Sequence, residues 1–279
     1  MNASAPYIRV EQCQINPALH SLIRNIVIIE SDFGSAIIKK EGNFMPSPDQ
    51  AMFINLFTSL KSKKAGENDF KKVSACTLIG PQITPFTLLV EESHIAVSII
   101  FQPGGLNRFL NIPMTEIFDN GYIGREVIGK EIEELVDKLH YTGSLEELSQ
   151  IVQSYFLRKL TKLKEALPLD FALQQLLLNY NTNLDKIADL ACMSIRNFER
   201  KCKERLGMPA KMYARITRFN RAYKMLENNP NISLSGLTYE VGYYDQNHFI
   251  KDFKEFARMT PSGVHKDFKD RFQLDWDRV

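Results

Sequence analysis

Gln246, Asn247 and His248 stand side by side in the stretch EVGYYDQNHFIKDFKEFARMTP, Glu240 to Pro261. Two chemistries suit such a row. An imidazole can serve as a general base or a metal ligand, and Asp245 and Asp252 are the carboxylates nearest to it in sequence. Amide side chains at the start of a helix can instead read base edges, because Asn and Gln make paired hydrogen bonds to N6 and N7 of adenine. Spacing weighs against a metal. No second His, Cys or Glu stands at a ligand spacing such as H-E-x-x-H, and His20, His94, His140 and His265 are scattered. A Gly-rich phosphate loop and a hydrolase elbow are also missing from the sequence. We therefore expect no catalytic residue, no metal and no cofactor.

The elements that would hold these residues are helical from Leu169 onward. LDFALQQLLLNY is amphipathic, and LDKIADLA is a short helix that ends near Cys192. SIRNFERKCKERLG begins at Ser194, a good N-cap, and closes at Gly207, a good residue just past a helix end. Pro209 suits the first turn of the long helix PAKMYARITRFNRAYKMLEN. SLSGLTYEVG is a further short helix, and DQNHFIKDFKEFA one capped by Asp245.

This region repeats itself. Leu184, Ile187 and Ala191 match Leu234, Leu237 and Val241 at an offset of 50. After one inserted residue, Ser194, Phe198, Arg200, Cys202 and Lys203 match Asp245, Phe249, Lys251, Phe253 and Lys254 at an offset of 51. Each copy reads short helix, tight turn, capped longer helix, the pattern of a helix-turn-helix whose second helix enters the major groove. Residues three and four apart share a helical face. Phe198 and Cys202 then point inward on the first reading helix, as do Phe249, Phe253 and Phe256 on the second, which leaves the polar residues outward.

Over residues 170–265 the sequence resembles the AraC/XylS family of transcription regulators, most specifically in LTYEVGYYDQNHFIKDFKEFARMTP. The resemblance implies two motifs bridged by the long helix and binding double-stranded DNA as one unit. It places Arg196, Asn197, Glu199, Arg200, Asn247, His248 and Lys251 at base-facing positions, with Gln246 close enough to include. Arg suits guanine, while Glu199 suits a cytosine amine or the orienting of Arg196 or Arg200. Lys203, Lys211, Arg215 and Lys254 are expected on phosphates, which position without specifying. Three positions depart from the family pattern: Cys192 and Arg258 where Gly is usual, and Cys202 where Phe commonly packs.

The first half reads differently. Leu22–Glu30, Ala51–Leu60, Val73–Gly80, Pro85–Glu92 and His94–Phe101 are β-branched or aromatic runs bounded by clusters such as KKEGN and KSKKAGEND. They predict an antiparallel sheet or barrel, followed by helices in IGKEIEELVDKLH and SLEELSQIVQSYFLRKLTKLKEAL. Leu145, Leu148, Val152, Phe156 and Leu160 form a stripe that suits a dimer surface or packing on the parent domain, and Phe53, Phe57, Phe86 and Phe101 suit a cavity wall or plain core. This half looks like the β-rich sensory or dimerising domain found ahead of some family members. Pro168 marks the boundary, giving residues 1–166 and 167–279. The fold expected is a two-domain α+β chain, with an antiparallel barrel-like domain plus helices and then an all-α domain with two helix-turn-helix motifs.

Charge divides along the same line. Residues 1–180 hold 17 Lys/Arg against 20 Asp/Glu, whereas residues 181–260 hold 14 against 9. An anionic partner is thus expected for the second half alone. Four separated cysteines, no apolar run long enough to span a membrane and no signal-peptide pattern predict a cytoplasmic protein, and the resemblance implies a bacterial-type, non-enzymatic regulator. A small-molecule effector, a homodimer and RNA polymerase stay open as further partners. An alternative also stays open, a DNA-repair enzyme fused to a DNA-binding module and working through a reactive Cys13 or Cys76.

Overall fold

The computed structural model describes residues 7–32, 40–56, 60–90, 93–163, 166–229 and 232–267. Ten strands come first: β1 Tyr7–Gln12, β2 Ile23–Asp32, β3 Lys40–Phe44, β4 Ala51–Leu56, β5 Leu60–Lys64, β6 Lys71–Lys72, β7 Cys76–Ile79, β8 Phe86–Val90, β9 His94–Phe101 and β10 Gly121–Ile123. They form two antiparallel sheets, one in the order β1-β2-β9-β4-β7-β10 and the other β3-β8-β5-β6.

All five runs expected as strands contain one, though several are shorter than their runs. Two clusters read as strand boundaries are themselves in strands: KKEGN lies largely in β3, and KSKKAGEND opens inside β5. Pairing to β8 on either side satisfies their backbones, so side-chain apolarity is not needed; the lysines of β5 remain half-exposed. Phe57 lies outside the described residues.

The period of two decides what each face of the large sheet does. Val97 and Ile99 of β9 point into a core with Ile26, Ile28, Met52, Ile54 and Leu78, while His94 and Ala96 face the smaller sheet. Helices α1 Gly105–Leu110, α2 Gly124–Ile128, α3 Glu131–His140 and α4 Leu145–Leu160 cover that core. Ser144 caps α4 through its Oγ, which accepts from the Glu147 N–H at 3.2 Å. Leu148, Val152 and Phe156 are buried in the same cluster, with Leu145 and Leu160 packed at its edge, so the stripe on α4 is used within the chain.

The remaining helices are α5 Pro168–Leu178, α6 Leu184–Leu190, α7 Ile195–Leu206, α8 Ala210–Asn228, α9 Leu234–Glu240, α10 Gln246–Phe256 and α11 Pro261–Asp267. Their buried residues form a separate cluster running from Leu169 to Val264. Phe219 of α8 lies at its centre, 5.0 Å from the Phe253 ring and 5.2 Å from the Phe256 ring. Edge and tilted contacts of this kind between aromatic rings add to the area they bury.

The two halves touch through buried polar contacts. The Gln50 amide donates from Nε2 to the Arg205 carbonyl at 2.7 Å, and its Oε1 accepts from the Gly104 N–H at 3.1 Å. Asn220 of α8 donates to the Pro46 carbonyl at 3.0 Å. Gly207, at φ 78°, ends α7 so close to the Met114 carbonyl that a Cβ would stand 2.8 Å from its oxygen. Only glycine meets both demands there.

Candidate nucleic-acid interface

The turns of the helix pairs α6–α7 and α9–α10 share three backbone hydrogen bonds. In the first turn the Ala191 N–H donates to the Ile187 carbonyl, Cys192 to Asp189 and Met193 to Ala188, at 3.3, 2.9 and 3.1 Å. In the second, Val241 donates to Leu237, Gly242 to Tyr239 and Tyr243 to Thr238, at 3.0, 3.0 and 2.9 Å. Every partner is displaced by 50 residues. The reading helix then starts one residue later in the second copy, and that inserted residue is Tyr244, whose side chain is 88% exposed.

Capping fixes where each reading helix begins. Ser194 Oγ accepts from the Asn197 N–H at 3.4 Å, and Asp245 Oδ1 accepts from the His248 N–H at 2.8 Å. With the caps set, burial follows the sequence pattern. Phe198 and Cys202 of α7 and Phe249, Phe253 and Phe256 of α10 are buried, while Arg196, Arg200, Gln246, Asn247, His248 and Lys251 are exposed and Asn197 is half-buried. His248 Nδ1 lies 3.3 Å from Asp245 Oδ1, a contact that turns the ring back toward its own cap. The Arg200 guanidinium receives orientation from Asn197, donating to its Oδ1 at 2.8 Å.

Two residues expected at the DNA are held by other parts of the protein. The half-buried Glu199 carboxylate accepts from the Ala210 N–H at 3.2 Å and so caps the N-terminus of α8. Arg215 of α8 donates to Asp252 Oδ1 at 2.6 Å and Glu255 Oε2 at 2.8 Å, and its guanidinium lies over the Phe256 ring at 5.1 Å. Lys203, Lys211 and Lys254 are exposed.

Comparison with known proteins agrees with this geometry. A family model described as a helix-turn-helix domain matches residues 187–267, and one described as a domain of unknown function matches residues 11–122. Over 84 residues the chain is 31% identical to an uncharacterized HTH-type transcriptional regulator of Haemophilus influenzae, covering 30% of this chain and 28% of that protein. Over 84 residues it is also 26% identical to the HTH-type transcriptional activator RhaS of Escherichia coli O1:K1, covering 30% of each. Residues 187–267 are thus a helix-turn-helix domain similar to those of AraC-type regulators.

The match thus spans under a third of the length of these curated relatives. Among solved structures, the chain is similar to the C-terminal domain of AraT, a response regulator from Geobacillus stearothermophilus, at 18% identity and a TM-score of 0.35, over 41% of this chain and 94% of that one. It is also similar to the AraC-like transcriptional activator CuxR, at 13% identity and a TM-score of 0.29, over 77% and 86%.

Two departures of this domain from the AraC/XylS pattern that it resembles now have a backbone meaning. Cys192 sits at φ 54° and Arg258 at φ 59°, in the left-handed region that glycine occupies at Gly242 and Gly207, φ 78° at both. Arg258 does not extend the second reading helix, which ends at Phe256. Cys202 fills the place of an aromatic ring without leaving the core, at 0% exposure.

A pocket lies between the two sheets. A cavity of about 330 Å³ is walled by apolar residues including Ile29, Phe53, Phe86 and Leu88, with His94 and Asn55 among its polar ones. Of the phenylalanines proposed for a cavity, Phe53 and Phe86 line it, whereas Phe101 is core beside Phe109 and Phe156. Sequence reading passed over His94, although the alternation in HIAVSIIF already separates it from the core-facing Val97 and Ile99. Burial pushes its imidazole down to about 4. The other thiols and carboxylates offer no rival centre: among the described residues, no group of three His, Cys, Asp or Glu could hold a metal. No described helix is long and apolar enough to cross a membrane.

Proposed function

We propose that the chain is a sequence-specific, double-stranded DNA-binding transcription regulator. The observation that carries this reading is the duplicated turn, with exposed polar residues on the first turns of both α7 and α10. Arg196, Asn197, Arg200, Gln246, Asn247, His248 and Lys251 are the base-reading residues, because N-terminal side chains of a reading helix meet base edges. Lys203, Lys211 and Lys254 contact phosphate. Glu199 and Arg215 act one step back, Glu199 by capping α8 and Arg215 by tying α8 to α10. The two helices read successive major-groove segments on one face of the duplex, roughly 34 Å apart.

Residues 1–166 form the controlling domain and 167–279 the DNA-binding one, a division supported by the two separate hydrophobic clusters. The cavity between the sheets takes a small effector. The setting is cytoplasmic, and pairing into a homodimer and contact with RNA polymerase belong to the same reading. The repair-enzyme alternative finds no support in its thiols. Burial pushes Cys76 up to about 12 and raises Cys13 as well, the reverse of what activates a thiolate.

Selection of bound duplexes from a random pool tests the reading. Enrichment of a motif with two half-sites one helical turn apart is the expected outcome. Retention of the pool without enrichment would show charge-driven binding alone.

A further inference from the structure

His94 is 7% exposed, lines the cavity between the sheets, and has no hydrogen-bond partner on Nδ1 among the described residues. A buried polar atom left unpaired is unusual and costly. The position is built into the sheet. His94 lies directly opposite Ser31 in the β2–β9 register, and both residues line the cavity. Two positions along β9 the wall falls back to Ala96, whose small side chain leaves room beside the imidazole.

The remaining wall sets the rest of the ligand's character. Ile29, Phe53, Leu60, Phe86 and Leu88 give it a broad apolar lining. Two of its cations are neutralised in place: Lys64 Nζ lies 3.0 Å from Asp119 Oδ2, and Lys71 is paired with Glu67. Lys72, the third lysine of the wall, is exposed to solvent, so a charged ligand seated among the apolar residues would displace an ion pair or lie against hydrocarbon. A volume of about 330 Å³ suits a small ring system.

Resting on the reading of this cavity as an effector site, we propose that it takes an uncharged, one- or two-ring apolar molecule bearing a single hydroxyl, which hydrogen-bonds to the His94 imidazole. A hydroxyl both donates and accepts, so it serves either tautomer of a neutral imidazole. A carboxylate could only accept.

The test is calorimetric titration of the full chain with 2-naphthol, naphthalene and 2-naphthoate, repeated on His94→Phe and Ala96→Phe. The proposal expects 2-naphthol to bind about tenfold tighter than naphthalene, the worth of one buried hydrogen bond, and tighter than 2-naphthoate. In His94→Phe that preference should vanish while naphthalene still binds, which also reports that the variant is folded. Ala96→Phe should weaken 2-naphthol and naphthalene alike by filling their space. Equal binding of 2-naphthol and naphthalene to the wild type, a preference for 2-naphthoate, or a preference that survives His94→Phe would each overturn the ligand class and leave the effector site standing. Binding of none of the three, with DNA affinity unchanged by Ala96→Phe, would remove the effector site as well.

Discussion

Arg215 on α8 and Asp252 on α10 meet at 2.6 Å, Nη2 to Oδ1, and the same carboxylate accepts from the Tyr243 hydroxyl at 3.1 Å. The bridging helix, the second turn and the second reading helix thus converge on one buried acid. Removing the arginine strands that acid, whose side chain is only 8% exposed. Arg215→Ala should cost roughly 3 kcal/mol of stability, as breaking a buried pair does, measured by urea unfolding. It should leave the salt dependence of DNA binding unaltered; a slope reduced by a full unit would return Arg215 to the phosphate.

The two turns offer a comparison inside one molecule. Cys192 holds φ 54° with a β-carbon, and Gly242 holds φ 78° without one. Left-handed backbone costs an L-residue roughly 1–2 kcal/mol, part of which glycine returns through its freer unfolded chain. Cys192→Gly should accordingly raise the melting temperature. Gly242→Ala should lower it, since its Cβ would come within 1.9 Å of Asn181 Nδ2, an amide already engaged by Arg218.

Base-reading and phosphate residues separate by what they discriminate. Arg200→Ala and Asn247→Ala should each lose about 1–3 kcal/mol on the selected site and little on random duplex. Equal losses on both would count against base reading. Lys254→Ala should weaken both and lower the salt slope by about 1, as expected for one lost phosphate contact.

His94 makes stability depend on pH with a definite sign. Its folded value is pushed down to about 4 from an ordinary 6.5 by burial, so the unfolded chain takes up the proton first as pH falls. Stability is therefore full above pH 6.5 and declines toward pH 4, by up to about 3 kcal/mol for this group. Glu67, the carboxylate in the same cavity wall, is held below its ordinary value by its bond from Lys71 and titrates lower. Denaturant unfolding at pH 7.5 and 5 should show the loss in the wild type and a smaller one in His94→Gln.

The second half was the more legible because its signals are local. Caps at Ser194 and Asp245, the close at Gly207 and the stripe of Phe249, Phe253 and Phe256 are short-range facts, and the duplication states the caps and the buried positions twice. What it concealed is long-range. Glu199 and Arg215 look outward on a helical wheel, yet their partners Ala210 and Asp252 stand 11 and 37 residues away. The β-rich half hid more. Strands β3 and β5 owe their existence to pairing with β8 and not to their largely polar sequences. The cavity wall is assembled from strands of both sheets, so no single run announces it.

Gln50 spends both ends of one rigid amide on different partners, the Gly104 N–H at the start of α1 and the Arg205 carbonyl near the end of α7. Neither bond can be given up singly without stranding a buried group. Cooperativity follows from this: the two-sheet half and the first motif should melt together, in one calorimetric transition. Gln50→Leu should split that peak in two and set free a motif that folds to its own rhythm.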